Sequence, residues 1–131
     1  TDTLAFASIR QANWGSNQVS INPTGPYGNI SAFDDSTSYR IGLGRKFGDT
    51  WSSSISYNWE GGSGPTTTST FTLSDGRQGI SVGAKYNFSE NTAITVGGNY
   101  TDFGKVTNTA TNAVLSGNTA TTLGVSLSTS F

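Results

Sequence analysis

The sequence predicts an all-β protein, an antiparallel up-and-down transmembrane β-barrel to which this chain contributes six spanning strands. Three observations lead there. Apolar and polar residues alternate with period two along runs of ten residues or longer, the signature of a strand with two unlike faces. The longest purely apolar run is Leu4–Ala7, far short of the ~20 residues a helical span requires. Hydrophobic residues make up 33% of the chain and charged residues 11%, both low for a soluble globular domain. A membrane chain without a hydrophobic helix has one spanning option, a closed sheet whose backbone groups all pair between strands.

The elements follow in chain order. Residues from about 4 to 13 form a first strand whose two faces the sequence does not distinguish. Tyr39, Ile41, Leu43 and Phe47 then share a face opposite Ser38, Arg40, Gly42, Gly44 and Lys46. The clearest alternation is Trp51–Glu60, with Trp51, Ser53, Ile55, Tyr57 and Trp59 on one face and Ser52, Ser54, Ser56, Asn58 and Glu60 on the other. Ile80, Val82, Ala84, Tyr86 and Phe88 alternate with Ser81, Gly83, Lys85 and Asn87, and Ile94, Val96, Gly98 and Tyr100 with Thr95, Gly97, Asn99 and Thr101. Leu123, Val125, Leu127, Thr129 and Phe131 close the series. Strands of soluble domains are commonly about 5–6 residues long, whereas a tilted membrane-crossing strand needs about 9–11.

The connections alternate too. Phe47–Trp51 and Phe88–Thr92 are tight turns of turn-forming residues, while the links 15–36, 61–77 and 104–116 are long and polar. Short turns at one end and long loops at the other match outer-membrane barrels, whose short turns are periplasmic. Gln18–Asn22 and Tyr27–Phe33, which flank Pro23 and Pro26, read as a loop ribbon rather than as spanning strands. Phe47, Trp51, Phe88 and Phe131 fall at the short-turn end, and Tyr39, Tyr57, Trp59 and Tyr100 toward the long loops. Two aromatic girdles suit two membrane–water interfaces; the alternative is the ordinary cross-strand aromatic pairing of a soluble sandwich. The final strand, with Leu123, Val125, Leu127 and a terminal Phe131, has the form of a signal presented to the barrel-assembly machinery.

The ordered segments resemble a family. Leu4–Trp14 (LAFASIRQANW), Asp35–Phe47 (DSTSYRIGLGRKF), Asp49–Tyr57 (DTWSSSISY), Asp75–Phe88 (DGRQGISVGAKYNF), Thr92–Gly104 (TAITVGGNYTDFG) and Gly117–Phe131 (GNTATTLGVSLSTSF) are similar, in order and loop size, to FadL-type long-chain fatty-acid transporters of the outer membrane. The resemblance covers essentially the whole chain. It implies a fourteen-stranded barrel plugged by an N-terminal hatch, of which residues 1–131 are the C-terminal six strands of one domain. It also implies passive transport of long-chain fatty acids or other hydrophobic small molecules across the bacterial outer membrane. Six strands are fewer than the eight of the smallest membrane barrels, so the rest of the same barrel, or another chain, is expected to complete the wall. Most of the family's ligand-binding residues fall in segments this chain does not contain. The chain opens on Thr1 rather than Met, which reads as processing or cutting.

Chemistry is expected on the polar, lumen-facing side. Arg40, Lys46, Glu60, Arg77 and Lys85 fall on that parity; a charge on the lipid face at mid-depth would cost about 2–4 kcal/mol. Arg45 falls on the other parity, close enough to a turn to reach the headgroups. Arg40, Arg77 and Lys85 can orient a carboxylate headgroup, or pair with Glu60 or with a plug. Asp34, Asp35 and Asp75 lack the dense oxygen spacing of a calcium loop, and Gly61–Gly64 lacks the Lys-Ser/Thr of a phosphate cradle. No His and no Cys occur, which removes the usual general base and thiolate chemistry. No enzyme, cofactor or metal is therefore expected. The net charge of −1 gives no bulk attraction to nucleic acid. The expected partners are outer-membrane lipid, the assembly machinery and a hydrophobic ligand. A structural or surface-interaction β-barrel with no transport role is the alternative reading.

Overall fold

The computed structural model describes residues 2–16, 18–20, 29–31, 33–64, 66–69 and 71–130. Among them the regular structure is entirely β. In chain order the strands are β1 (Thr3–Ala12), β2 (Val19–Ser20), β3 (Asn29–Ser31), β4 (Ser36–Phe47), β5 (Trp51–Glu60), β6 (Thr66–Thr67), β7 (Arg77–Asn87), β8 (Thr92–Phe103), β9 (Val106–Asn108), β10 (Ala113–Leu115) and β11 (Thr119–Thr129). The six long strands make one sheet in the order β1-β4-β5-β7-β8-β11. Each neighbouring pair is antiparallel, so the sheet is a simple meander.

These six strands run 10 to 12 residues each, about 33–40 Å at 3.3–3.4 Å per residue. No bulge interrupts any of the five pairings between them. Directly paired residues share a face, so an unbroken register carries the period-two pattern of one strand across the whole sheet. One face therefore collects Ala7, Ile41, Tyr57, Ile80, Tyr100 and Thr121 in a single row. The next row is Ala5, Leu43, Ile55, Val82, Gly98 and Leu123. The faces of β1, ambiguous in the sequence, are assigned by its partners. Ala5, Ala7 and Ile9 join the apolar face, while Leu4, Phe6, Ser8 and Arg10 join the polar one.

The apolar face is the uncovered one. Ile55 is 52% exposed while Ser56, its neighbour on the opposite face, is 3% exposed. Among the described residues only Ala93 and Val106 are buried apolar side chains. Folding in water normally hides apolar area; in this sheet the polar side is the more enclosed.

The sheet is open: β1 and β11 lie at opposite ends of the strand order and do not pair with each other, so no barrel closes among the described residues; six strands alone are not expected to close one. The links 61–77 and 104–116, read from the sequence as long polar loops, carry short strands. They contribute β6, β9 and β10, where β10 pairs antiparallel and β6 parallel with β9. Val106 and Ser69 are fully buried there, and Asn108 Nδ2 donates to the Ser69 carbonyl at 2.9 Å. The link 15–36 carries the short β2–β3 pair, a ribbon as expected, although residues 21–28 lie outside the described residues.

The turns match their sequences. Gly48 takes φ 66° between β4 and β5, a conformation Gly adopts without a Cβ penalty. In the β7–β8 turn Phe88 N–H donates to the Thr92 carbonyl at 2.9 Å. Ser89 Oγ accepts from the Asn91 and Thr92 amides at 3.3 and 3.1 Å. The Ser130 amide donates to the Asn91 carbonyl, which sets the end of β11 beside this turn.

Candidate functional site

The polar face has three zones, each made by residues that sequence parity and register bring into rows. At the long-loop end, Arg10, Ser38, Glu60, Arg77 and Phe103 form one row, and Ser8, Arg40, Asn58, Gly79 and Thr101 the next. Arg77 Nη2 and Nε donate to Glu60 Oε2 at 2.9 and 3.2 Å, the one ion pair among the described residues. Arg40 has no carboxylate partner among the described residues. Its Nε and Nη2 donate to the Ser56 hydroxyl at 3.3 and 3.2 Å, and its guanidinium lies 5.5 Å from the centre of the Phe6 ring, within cation–π range.

Between Asn58 and Thr101 a lateral chain of hydrogen bonds crosses three strands. Asn58 Nδ2 donates to Ser81 Oγ at 3.4 Å, Asn99 Nδ2 donates to the same oxygen at 2.8 Å, and Thr101 Oγ1 donates to Asn99 Oδ1 at 2.7 Å. Arg10, Arg40, the Arg77–Glu60 pair and part of this chain line a hollow of about 460 Å3. Three guanidinium groups against one carboxylate leave the hollow positively charged. It suits the negatively charged head of an organic molecule more than a cation.

The middle zone carries no charge. One row reads Phe6, Gly42, Ser56, Ser81, Asn99 and Thr122; the next reads Leu4, Gly44, Ser54, Gly83, Gly97 and Gly124. Gly42 is required by its neighbours. A Cβ there would strike the Phe6 ring and sit 2.8 Å from the Ile55 carbonyl oxygen. At the tight-turn end a third zone begins with Lys46, Ser52, Lys85, Thr95 and Ser126 in one row.

All five charged residues expected on the polar side, Arg40, Lys46, Glu60, Arg77 and Lys85, thus share one face. The structure brings Glu60 to Arg77, and places Arg40 in the same loop-end zone. It sets Lys46 and Lys85 apart at the other end. Arg45 lies on the apolar face opposite Ser53, its guanidinium 5.3 Å from the Phe47 ring centre.

The aromatics of the apolar face occupy its two ends. Tyr39 and Trp59 pair with ring centres 5.6 Å apart at the loop end, next to the Tyr57 and Tyr100 row. Tyr57 Oη donates to Gln78 Oε1 at 3.1 Å. At the turn end Phe47 pairs with Trp51, Trp51 meets Tyr86 at 4.7 Å, and Tyr86 meets Phe88 edge-on at 4.9 Å. On the last strand, Leu123, Val125 and Leu127 line the apolar face beside Gly98, Val96 and Ile94. Phe131 lies outside the described residues.

Three participants were not singled out from the sequence. Tyr86 links the turn-end aromatics, and its alternation with Phe88 carries that signal. Arg10 and Phe6 belong to the polar face, which only the β1–β4 register reveals. Two of the three loop acids, Asp35 and Asp75, hold loops. Asp35 Oδ1 accepts from the Gly15 amide and Asp75 Oδ1 from the Gly64 amide, each at 2.9 Å. No cluster of metal-ligating side chains occurs among the described residues.

Comparison with protein-family models, with curated proteins and with solved structures gives no match for this chain.

Proposed function

We propose that this sheet is part of the wall of an outer-membrane β-barrel that passively conducts long-chain fatty acids or other hydrophobic small molecules. The observation that carries the reading is the uncovered apolar face. It is continuous over six strands in unbroken register and is bounded at both ends by aromatic side chains. From Trp59 to Trp51 the face spans eight residue steps of β5. That is about 27 Å along the strand, or about 21 Å along the membrane normal at a ~40° tilt, against an apolar band of ~25 Å in such barrels. A soluble protein rarely leaves so large a contiguous apolar surface open to water.

The polar face supports the lumen assignment. It is the more enclosed side, holds Arg10, Arg40, Lys46, Glu60, Arg77 and Lys85 while Arg45 and Asp102 fall at the ends of the apolar face, and contains a cationic hollow suited to a carboxylate head. The segment order that resembles FadL-type transporters supplies the substrate class. Closure calls for further strands on the open edges of β1 and β11, from the same polypeptide or another chain.

The test is functional. The protein, carrying whatever further strands its reading frame encodes, is reconstituted into lipid vesicles and long-chain fatty-acid uptake is followed. Accelerated uptake is expected, with heat-modifiable migration in detergent gels. A folded, monodisperse species in plain buffer would overturn the membrane assignment. A heat-modifiable barrel without uptake would leave a structural or surface-binding role.

A further inference from the structure

At the tight-turn end of the polar face, Lys46, Ser52 and Lys85 are consecutive partners across β4, β5 and β7. With strands ~4.8 Å apart, the two lysine Cα atoms sit about 10 Å from each other, with the serine midway. The contrast with the loop end is chemical. There Arg77 faces Glu60; here neither lysine has an ion-pair partner among the described residues.

The space in front of them is built open. Both lysines line a hollow of about 590 Å3 together with Gly44, Ser54, Gly83 and Thr95. Next to the lysine row lies the row Leu4, Gly44, Ser54, Gly83, Gly97 and Gly124; Leu4 stands at the β1 edge of the hollow, and the glycines and Ser54 put no long side chain over the floor between the lysines. Among the described residues Asp2 is the one carboxylate on the rim. It is tied by its main chain, whose carbonyl accepts from the Lys46 amide at 2.7 Å, and its carboxylate forms no ion pair among the described residues.

We propose that Lys46 and Lys85, with the Ser52 hydroxyl between them, form a binding site for an oxyanion, a carboxylate or a phosphate. Two ammonium groups supply up to six N–H donors, and the hydroxyl supplies one more. Charge-assisted bonds from opposite sides would hold an anion whose oxygens point both ways. A point-charge ammonium on a flexible stem suits an anion of varied shape better than a rigid guanidinium fork does. The site is distinct from the loop-end arginines: Lys46 lies six residues along β4 from Arg40, about 20 Å. It rests on the register of β4, β5 and β7, whatever covers the apolar face.

The test is calorimetric titration of the folded protein, in non-ionic detergent, with sodium phosphate and separately with octanoate. Saturable binding of at least one anion is expected, weakening as salt rises. Lys46→Gln or Lys85→Gln should each weaken it about tenfold, and the double variant should abolish it. Lys46→Arg and Arg77→Gln should hold affinity within a few-fold. Phosphate binding without octanoate binding identifies a free inorganic anion; octanoate binding without phosphate binding identifies an amphiphile headgroup. Absence of saturable binding for both anions overturns the proposal. So does unchanged affinity in the double variant, with circular dichroism verifying its fold. If the glutamine variants do not fold, the isosteric Ser52→Ala decides: a loss of several-fold upholds the site, and no loss overturns it.

Discussion

At the scale of single residues, Gly42 shows how one missing side chain organises a neighbourhood. Its Cβ position is claimed by the Phe6 ring and closed behind by the Ile55 carbonyl. Phe6 in turn carries the Arg40 guanidinium on its face. Gly42→Ala is expected to destabilise the sheet by about 1–3 kcal/mol, as overpacking does, measured by urea unfolding of the refolded protein. The Arg77–Glu60 pair should matter less, because both partners are reached by solvent. Glu60→Gln should change stability by less than about 1 kcal/mol, with the effect shrinking as salt rises. These differ because backbone cannot yield as solvated side chains can. The sequence lists Gly42 and Phe6 far apart, and nothing in either suggests the contact.

At the scale of elements, the two faces of one strand can be set against each other with one chemical change. Leu123 and Thr122 are neighbours on β11, on opposite faces. Leu123 is 84% exposed, so Leu123→Lys would be harmless for a protein surrounded by water. If the face meets hydrocarbon, the same change should cost about 2–4 kcal/mol, while Thr122→Lys should stay within about 0.5 kcal/mol. Equilibrium unfolding in lipid vesicles measures both; equal small effects would remove the lipid assignment. The loop sheet offers a second case. Asn108 donates to the Ser69 carbonyl and accepts from the amides of Ala110 and Thr111 at 2.9 and 3.0 Å. Asn108→Ala should loosen β6, β9 and β10 by about 1–3 kcal/mol. Amide hydrogen exchange should report it at residues 106–111 without change in β7 or β8.

At the scale of the whole molecule, an uncovered apolar face bounded by aromatics makes a prediction about depth. With brominated lipids, Trp51 and Trp59, each kept as the sole tryptophan, should be quenched best by shallow labels. A tryptophan introduced by Ile55→Trp in a Trp-free background should be quenched best by deep ones, because position 55 lies midway between them. Equal quenching at all three depths would contradict a transverse orientation.

The all-β antiparallel class, the six long strands, their turns and the shared polar parity of Arg40, Lys46, Glu60, Arg77 and Lys85 were legible in the sequence. Each is a local property: alternation needs only neighbours along the chain, and a tight turn needs only a few residues. What tertiary structure alone decided is pairing. The faces of β1 were hidden because Leu4 to Ala7 are all apolar, and only its register with β4 separates them. The strands β6, β9 and β10 are two or three residues long and exist because distant segments hydrogen-bond to one another. The same holds for the Lys46–Ser52–Lys85 row. Alternation states which side each residue takes; the register of hydrogen bonds between strands states which residues meet there.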